Sequence, residues 1–299
     1  MSRTQDAWRK IEPQRSTPRG NGSDSETTQV EAGTEPIIFA LSSDGSADAN
    51  FDAVETAIPR FRLTRWEPDS KSMLFFGSEV ETPNKEDFRS LRSRLHQLQE
   101  KAPIRTILIA SSLPKEGRSF VAANLAQAMA QQGRRTLLID ADLRNPSLHV
   151  ALGTSSTPGL SEYLLGEAEE TGIVQQGQME KFFFVPAGRQ VSRQSEIISN
   201  GVLKVLLERL AALFDWVIVD SPAALPVSDA ALIAGYCDGV LMVVRSNSTP
   251  FDVVRKARRS FQEERLLGVV LNGVPADSQA QNAYYGTSSS KSKPNGKWR

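Results

Sequence analysis

The chain has 299 residues and carries 35 basic and 35 acidic side chains, so its net charge is zero. The length predicts one domain of about 200 residues with extensions, and the balanced charge gives no indication of a nucleic-acid partner. A single cysteine, Cys237, excludes an internal disulfide and an iron–sulfur cluster held only by thiolates of this chain. The sequence has no apolar run of about 18 residues and no signal-peptide core at its start, so we expect a cytoplasmic protein.

Residues 1–80 are predicted to form a largely disordered arm, because about the first 35 residues are polar and rich in Ser, Thr, Pro and Gly. Two apolar patches, residues 37–41 and 73–76, interrupt this composition without a clear period. They fit two alternatives: short strands that dock on the following domain, or linear motifs that bind a membrane partner. We favour a weakly ordered arm.

Residues 84–101 predict a helix with Asn84 as its N-cap. Its apolar stripe consists of Phe88, Leu91, Leu95 and Leu98. Glu86, Arg89 and Arg92 follow one another at three-residue spacing on another side of the helix. A solvated charged face is the simplest explanation of this spacing.

An apolar strand at 107–110, a turn at 111–117 and a following helix have the order of a P-loop. In such a loop, backbone N–H groups and the helix N-terminus bind phosphate. The pattern G-x-x-x-x-G-K-[ST] fits from Ser112 to Ser119, but Ser112 replaces the first Gly and Arg118 replaces the Lys. This match alone favours nucleotide binding and an ordinary strand–turn–helix unit about equally.

Two later apolar strands end in carboxylates. Asp140 and Asp142 follow the strand that begins at Thr136, and Asp220 ends a strand at 214–220. One Asp at a strand end is usually a turn or cap residue, but ligands of open parallel sheets bind at the carboxyl ends of the strands. Mg²⁺ prefers oxygen ligands, so the three stretches together predict a Mg²⁺-nucleotide site.

Four stretches of the chain are distinctive: K-E-G-R-S at 115–119, A-A-N-L-A at 122–126, L-I-D-A-D-L-R at 138–144 and V-I-V-D-S-P at 217–222. Together they resemble the bacterial tyrosine kinases (BY-kinases), P-loop enzymes of capsular and exopolysaccharide export. The resemblance covers residues 81–285. It implies an α/β fold of the P-loop NTPase type, with a mostly parallel central sheet and helices on both faces. Residues 286–299 are then a flexible basic tail.

The resemblance implies that the protein binds ATP and Mg²⁺. The implied ATP-binding residues are Ser112, Pro114, Lys115, Glu116, Gly117, Arg118, Ser119, Phe120 and Asn272. Ser119, Asp140 and Asp220 are the implied Mg²⁺ ligands, and Asp140 or Asp142 would accept the tyrosine proton. Arg118 completes the catalytic set in place of the P-loop Lys.

For Asn272, two roles stay open: pairing with the adenine edge, as the family implies, or a turn before Gly273. Tyr284 and Tyr285 resemble the C-terminal tyrosine cluster that neighbouring subunits phosphorylate in trans; the alternative is that they pack the tail down.

The E-x-x-R-x-x-R motif formed by Glu86, Arg89 and Arg92 resembles the family's subunit-contact motif and implies a ring of identical subunits. A separate membrane-anchored activator, similar to a chain-length regulator, is also implied. Such a partner would recruit the protein to the inner face of the plasma membrane.

The main expectation is therefore an ATP-dependent tyrosine autokinase that regulates capsular and exopolysaccharide biosynthesis and export. The alternative is a catalytically impaired nucleotide-binding assembly subunit of the same system, because the planar fork of Arg118 is bulkier than a Lys ammonium. A displacement of about 1 Å can cost about 10²-fold in rate. A third reading, a partition or cell-division ATPase, needs a signature Lys where this chain has Leu113.

Overall fold

An eight-stranded sheet lies at the centre of the protein in the computed structural model, which describes residues 61–76 and 83–274. The strands are β1 (Arg62–Leu63), β2 (Thr106–Ser111), β3 (Thr136–Asp140), β4 (Gln175–Gln176), β5 (Phe182–Val185), β6 (Trp216–Asp220), β7 (Gly239–Arg245) and β8 (Leu266–Asn272). Their order across the sheet is β1-β4-β5-β3-β6-β2-β7-β8. Within the described residues, the β4–β5 pair alone is antiparallel.

Helices connect most of the parallel strands. They are α1 (Pro83–Gln99), α2 (Arg118–Ala130), α3 (Leu148–Leu152), α4 (Leu160–Leu164), α5 (Glu170–Ile173), α6 (Gln194–Ser199), α7 (Val202–Leu213), α8 (Asp229–Ala234) and α9 (Phe251–Arg258), with a 3₁₀ turn at Glu263–Arg265. None of the helices in residues 61–76 and 83–274 combines the length and the apolar composition that crossing a bilayer requires.

Helices cover both faces of the sheet, which confirms the predicted fold. Successive side chains of a strand point to opposite faces, and every residue of β2 is buried. Ile107 and Ile109 belong to the core under α1 and α2, whereas Leu108 and Ala110 belong to the core under α7. Because these strands are buried on both faces, they require apolar residues at successive positions, which explains their continuous apolar sequences.

The predicted helix at 84–101 is α1, which begins at Pro83. Proline suits a first helical turn, where its missing N–H has no partner to lose. Asn84 therefore lies inside the helix, and the prediction that it is the N-cap is wrong. The predicted stripe faces inward, with Phe88 and Leu95 buried.

Residues 61–76, here called the strap, pack against the domain. Trp66 is buried, and its ring meets those of Phe182 and Phe184 edge-on, with centroids 5.5 and 6.4 Å apart. Met73 and Phe75 are also buried. The structure thus corrects the predicted disordered arm at these residues. Residues 73–76 dock on the domain, which was one of the two alternatives, but they form turns instead of strands. Residues 1–60, which include the patch at 37–41, and residues 77–82 lie outside the described residues.

Candidate functional site

The loop between β2 and α2 has the backbone of an anion-binding turn. Lys115 and Gly117 have left-handed φ values of 67° and 91°. N–H groups in turns of this kind form concavities that bind anions. The loop leads directly into α2, a 13-residue helix, whose N-terminal N–H groups and dipole also favour a phosphate.

Gly117 and Asn272 fix this loop against the end of β8. The Asn272 side-chain amide donates a hydrogen bond to the Glu116 carbonyl at 2.9 Å. A Cβ atom on Gly117 would lie 1.9 Å from the same amide nitrogen. Glycine is therefore required here by both its φ and its contact. Asn272 lies at the predicted place, and its pairing with adenine stays a prediction.

Glu116 stabilises the loop from inside. The side chain is buried, and one oxygen accepts a hydrogen bond from the Leu113 N–H at 2.8 Å. The other oxygen accepts from the Thr249 hydroxyl. Its neighbours Pro114 and Lys115 are exposed. Glu116, one of the predicted ATP-binding residues, thus holds the loop in its shape through its carboxylate.

Arg118, the first residue of α2, directs its guanidinium to the carboxylates. Its Nε donates to Asp220 Oδ1 at 2.6 Å, and its Nη2 donates to Asp142 Oδ2 at 2.8 Å. The Arg118 side chain is only 10% exposed. The residue predicted to replace the P-loop lysine therefore bridges two of the three predicted acidic residues.

Asp140 lies beside Asp220 at the carboxyl ends of paired strands, β3 and β6. Its Oδ2 accepts hydrogen bonds from the N–H groups of Ser147 and Leu148, each at 3.2 Å. Burial, followed by the negative charge of Asp220, raises the pKa of Asp140 to about 8. A carboxyl group with a pKa near neutral is suited to accepting a proton. The structure thus brings together Asp140, Asp142 and Asp220 as predicted.

Asp220 offers a place for a divalent cation. Its side chain is 1% exposed, and Oδ2 has no hydrogen-bond partner among the described residues. Burial raises the pKa of Asp220, and the charge of Arg118 and the Ser119 hydroxyl partly offset this rise. An unpartnered buried carboxylate oxygen beside a hydroxyl fits Mg²⁺.

The protein would supply only part of the coordination shell. Within residues 61–76 and 83–274, no three His, Cys, Asp or Glu side chains converge as a metal cage. Mg²⁺ commonly binds to one or two carboxylates, substrate phosphates and several waters. Asp220 and Ser119 therefore fit the ion when a nucleotide supplies phosphate oxygens.

The charged residues of α1 point in two directions, with Glu86 and Arg89 paired at the surface and Arg92 directed into the domain. Arg89 Nη1 and Glu86 Oε2 form an ion pair at 3.4 Å. Arg92 turns inward, and its Nη1 donates to the Ala128 carbonyl at 2.8 Å. Because this carbonyl lies in the last turn of α2, Arg92 binds the negative end of the P-loop helix. The predicted role of the three residues in subunit contacts stays a prediction.

Two amides of α2, missed by the sequence analysis, attach the strap to the P-loop helix. Asn124 Oδ1 accepts from the Leu74 N–H, and its Nδ2 donates to the Ser72 carbonyl, both at 2.8 Å. Gln127 Oε1 accepts from the Phe75 N–H at 3.3 Å. We call Asn124 and Gln127 the amide latch. Two amide side chains among the otherwise apolar residues from Val121 to Ala130 were the available signal.

A cavity of about 560 Å³ lies between the strap, the start of α2 and the segment that includes α3. Ser119 and Phe120 form its α2 side, and Met73 lies on the strap side. Ser147 and Leu148, whose N–H groups hold Asp140, line the third side. The cavity therefore reaches both the P-loop hydroxyl and the wall beside the buried acid. Tyr284 and Tyr285 lie outside the described residues.

Comparison with known proteins identifies the family. The family model of an AAA domain matches residues 105–253. The tyrosine-protein kinase YwqD of Bacillus subtilis (strain 168) is 32% identical over 212 residues, which cover 70% of this chain and 90% of YwqD. The chain belongs to the bacterial tyrosine kinase family.

Two further known proteins are similar over most of this chain. The succinoglycan biosynthesis transport protein ExoP of Rhizobium meliloti (strain 1021) is 36% identical over 233 residues, or 76% of this chain and 28% of ExoP. The solved kinase domain of Escherichia coli tyrosine kinase ETK superposes with a TM-score of 0.62 at 27% identity. That match covers 78% of this chain and 97% of the ETK chain. The predicted resemblance to bacterial tyrosine kinases is confirmed, which decides against the partition-ATPase reading.

Proposed function

We propose that this bacterial tyrosine kinase phosphorylates tyrosines of neighbouring copies of its own chain and thereby regulates capsular and exopolysaccharide biosynthesis and export. The observation that carries the proposal is the meeting of three buried carboxylates with the P-loop at one edge of the sheet. Family membership supports the same activity, since YwqD is named a tyrosine-protein kinase. ExoP, named a succinoglycan transport protein, supports the link to polysaccharide export.

The loop and the start of α2 would hold the ATP phosphates through backbone N–H groups. Ser119 and Asp220 would hold Mg²⁺, which when bound neutralises charge on the phosphates. Asn272 keeps Glu116 and the loop backbone in place from the end of β8. These residues mainly position the reactants, which is the largest part of catalysis in phosphoryl transfer.

The reaction itself needs an acceptor for the phenol proton. As the phenol oxygen bonds to the γ-phosphorus, the bond from that phosphorus to the β-bridging oxygen breaks, and ADP leaves. Asp140 accepts the phenol proton, since burial and Asp220 raise its pKa to about 8. Asp142, already bound to Arg118, is the second candidate for this role. The cavity beside Ser119 and Phe120 has apolar walls suited to an aromatic ring.

The assembly of the kinase is proposed from the predicted motifs. Glu86, Arg89 and Arg92 would form heterologous contacts in a ring of identical subunits. Tyr284 and Tyr285 would enter the site of the neighbouring subunit. A separate membrane-anchored activator, similar to a chain-length regulator, would recruit the ring to the inner face of the plasma membrane.

One observation favours a second function, a nucleotide-binding assembly subunit with impaired phosphotransfer. Arg118 is engaged by Asp142 and Asp220, and a guanidinium held there does not follow charge on the β- and γ-phosphate oxygens. If it stayed there during turnover, ATP would bind without efficient transfer.

Intact-mass and peptide mass spectrometry after incubation with Mg-ATP separates the two functions. The samples are the wild type, Asp140→Asn and Arg118→Lys, each with the cytoplasmic tail of a candidate activator. A gain of phosphate mass in the wild type, absent from Asp140→Asn, is expected for the kinase. Phosphate on Arg118→Lys alone would instead support the impaired subunit, and phosphate on Asp140→Asn at the wild-type level would contradict the assigned base.

A further inference from the structure

Arg118 and a divalent cation would share one carboxylate, that of Asp220. The guanidinium already occupies Asp220 Oδ1 at 2.6 Å and Asp142 Oδ2 at 2.8 Å. A cation at Asp220 and Ser119 would use the other oxygen of the same carboxylate. The two positive charges would then lie a few ångströms apart in a buried site, where such repulsion is weakly screened.

The chemistry of arginine makes this contact stronger than a lysine could provide. Nε and Nη2 are separate donors of one planar fork, so they bind carboxylates from two different segments of the chain at once. Lysine has one compact ammonium group on a flexible stem and cannot span two acids in the same way. The position after Gly117 therefore carries a residue that neutralises the acidic cluster through direct hydrogen bonds.

We propose that Arg118 competes with the divalent cation for the Asp220 carboxylate, so that the cation binds well only after a nucleotide phosphate draws the guanidinium away. The inference rests on the proposed function in one respect: nucleotide must bind the loop beside Arg118. It goes further because it assigns to the Arg118 side chain the order in which nucleotide and cation bind. The consequence is an acidic site that accepts a cation together with nucleotide and resists free cations.

Arg118 lies next to both the acidic residues and the P-loop. It is the first residue of α2 and directly follows the loop that would hold the phosphates. Arginine forms bidentate hydrogen bonds with phosphate as well as with carboxylate. Rotation of the side chain would move one positive charge from the acids to the phosphates and leave Asp220 for the arriving cation.

The test measures Mn²⁺ binding by electron paramagnetic resonance, with and without ADP. The variants are Arg118→Gln, which removes the charge, and Arg118→Lys, which keeps it but loses the fork. Arg209→Gln is the control for loss of a paired arginine charge, because Arg209 of α7 forms its ion pair with Glu170 of α5 at 3.0 Å. Circular dichroism and thermal melting establish that each variant is folded.

Without nucleotide, Arg118→Gln is expected to bind Mn²⁺ about 10- to 100-fold more tightly than the wild type, since one nearby positive charge is gone. Arg118→Lys should lie between them, and Arg209→Gln should match the wild type. ADP should tighten Mn²⁺ binding by the wild type more than by Arg118→Gln. Equal Mn²⁺ affinity of wild type and Arg118→Gln without nucleotide would overturn the proposal.

Two further readouts keep the outcome decisive. If Arg118→Gln does not fold, the wild type alone tests the proposal: Mn²⁺ affinity that is the same with and without ADP overturns it. A fluorescent ADP analogue measures nucleotide binding separately. Absence of nucleotide binding would contradict the proposed function, whereas the comparison made without nucleotide would still decide whether Arg118 competes with the cation.

Discussion

Replacing Asn124 with alanine tests whether the strap is part of the nucleotide-binding domain. The change removes the partners of the Leu74 N–H and the Ser72 carbonyl, both bonded at 2.8 Å. Each partly buried polar group left without a partner costs about 1–3 kcal/mol, and we take about 2–4 kcal/mol for the pair. Because about 1.4 kcal/mol is a factor of ten, strap amides should exchange hydrogen about 30- to 1000-fold faster.

Native-state hydrogen exchange read by mass spectrometry is the assay. Peptides that cover residues 72–76 should lose protection in Asn124→Ala, whereas peptides from β2 and β6 should change much less. Gln97→Ala, at an exposed position of α1, is the control and should leave the strap unchanged. If the strap amides of Asn124→Ala remain as protected as in the wild type, the amide latch does not hold the strap.

Two more predictions concern the loop and the acid. Gly117→Ala should abolish binding of a fluorescent ATP analogue, because its φ is 91° and its Cβ would lie 1.9 Å from Asn272 Nδ2; Gly133→Ala, at φ 84° with open space around it, should still bind. Retained binding by Gly117→Ala would contradict this account of the loop. Burial raises the pKa of Asp140 in the folded protein to about 8, whereas an Asp in the unfolded chain ionises near pH 4. Between about pH 4 and about pH 8 the folded state therefore keeps a proton that the unfolded state has lost, so the free energy of unfolding should fall as pH rises over that range. Relative to Asp140→Asn in urea titrations, the wild type should lose stability over that range and then level off; a difference that is constant with pH would refute the assignment.

Much of the site could be predicted because its signals are local. The strand, turn and helix around Gly117 follow one another in the chain, and each predicted acid stands at the end of an apolar strand or two residues beyond it. Parallel pairing of β3 with β6 then aligns Asp140 with Asp220. A short stretch of sequence therefore contains both the chemistry and the position of these residues.

The strap could not be predicted in the same way, because its order depends on distant partners. The Leu74 N–H meets Asn124 fifty positions along the chain, and the Trp66 ring lies among Phe182 and Phe184 of β5. Residues 61–76 have no regular period of their own, so composition alone favoured a disordered arm. Long-range packing overrides such local signals.

The directions of long side chains could not be predicted from the sequence either. The motif position of Arg118 indicated a role at the phosphates, but a long, flexible side chain binds whatever acceptors lie within its reach. Here these are Asp142 and Asp220, which the fold brings to the start of α2. Glu116 shows the same limit, because its carboxylate turns inward to Leu113 and Thr249.

The most direct test of the central claim is a mixing experiment with two complementary variants. One carries Asp140→Asn with both tail tyrosines intact, and the other has an intact site but carries Tyr284→Phe and Tyr285→Phe. Incubated together with Mg-ATP and the activator tail, the Asp140→Asn chain should gain phosphate on Tyr284 or Tyr285, while neither variant alone should do so. If the Asp140→Asn chain gains no phosphate from an active partner, or is phosphorylated equally well alone, phosphotransfer between subunits through Asp140 is contradicted.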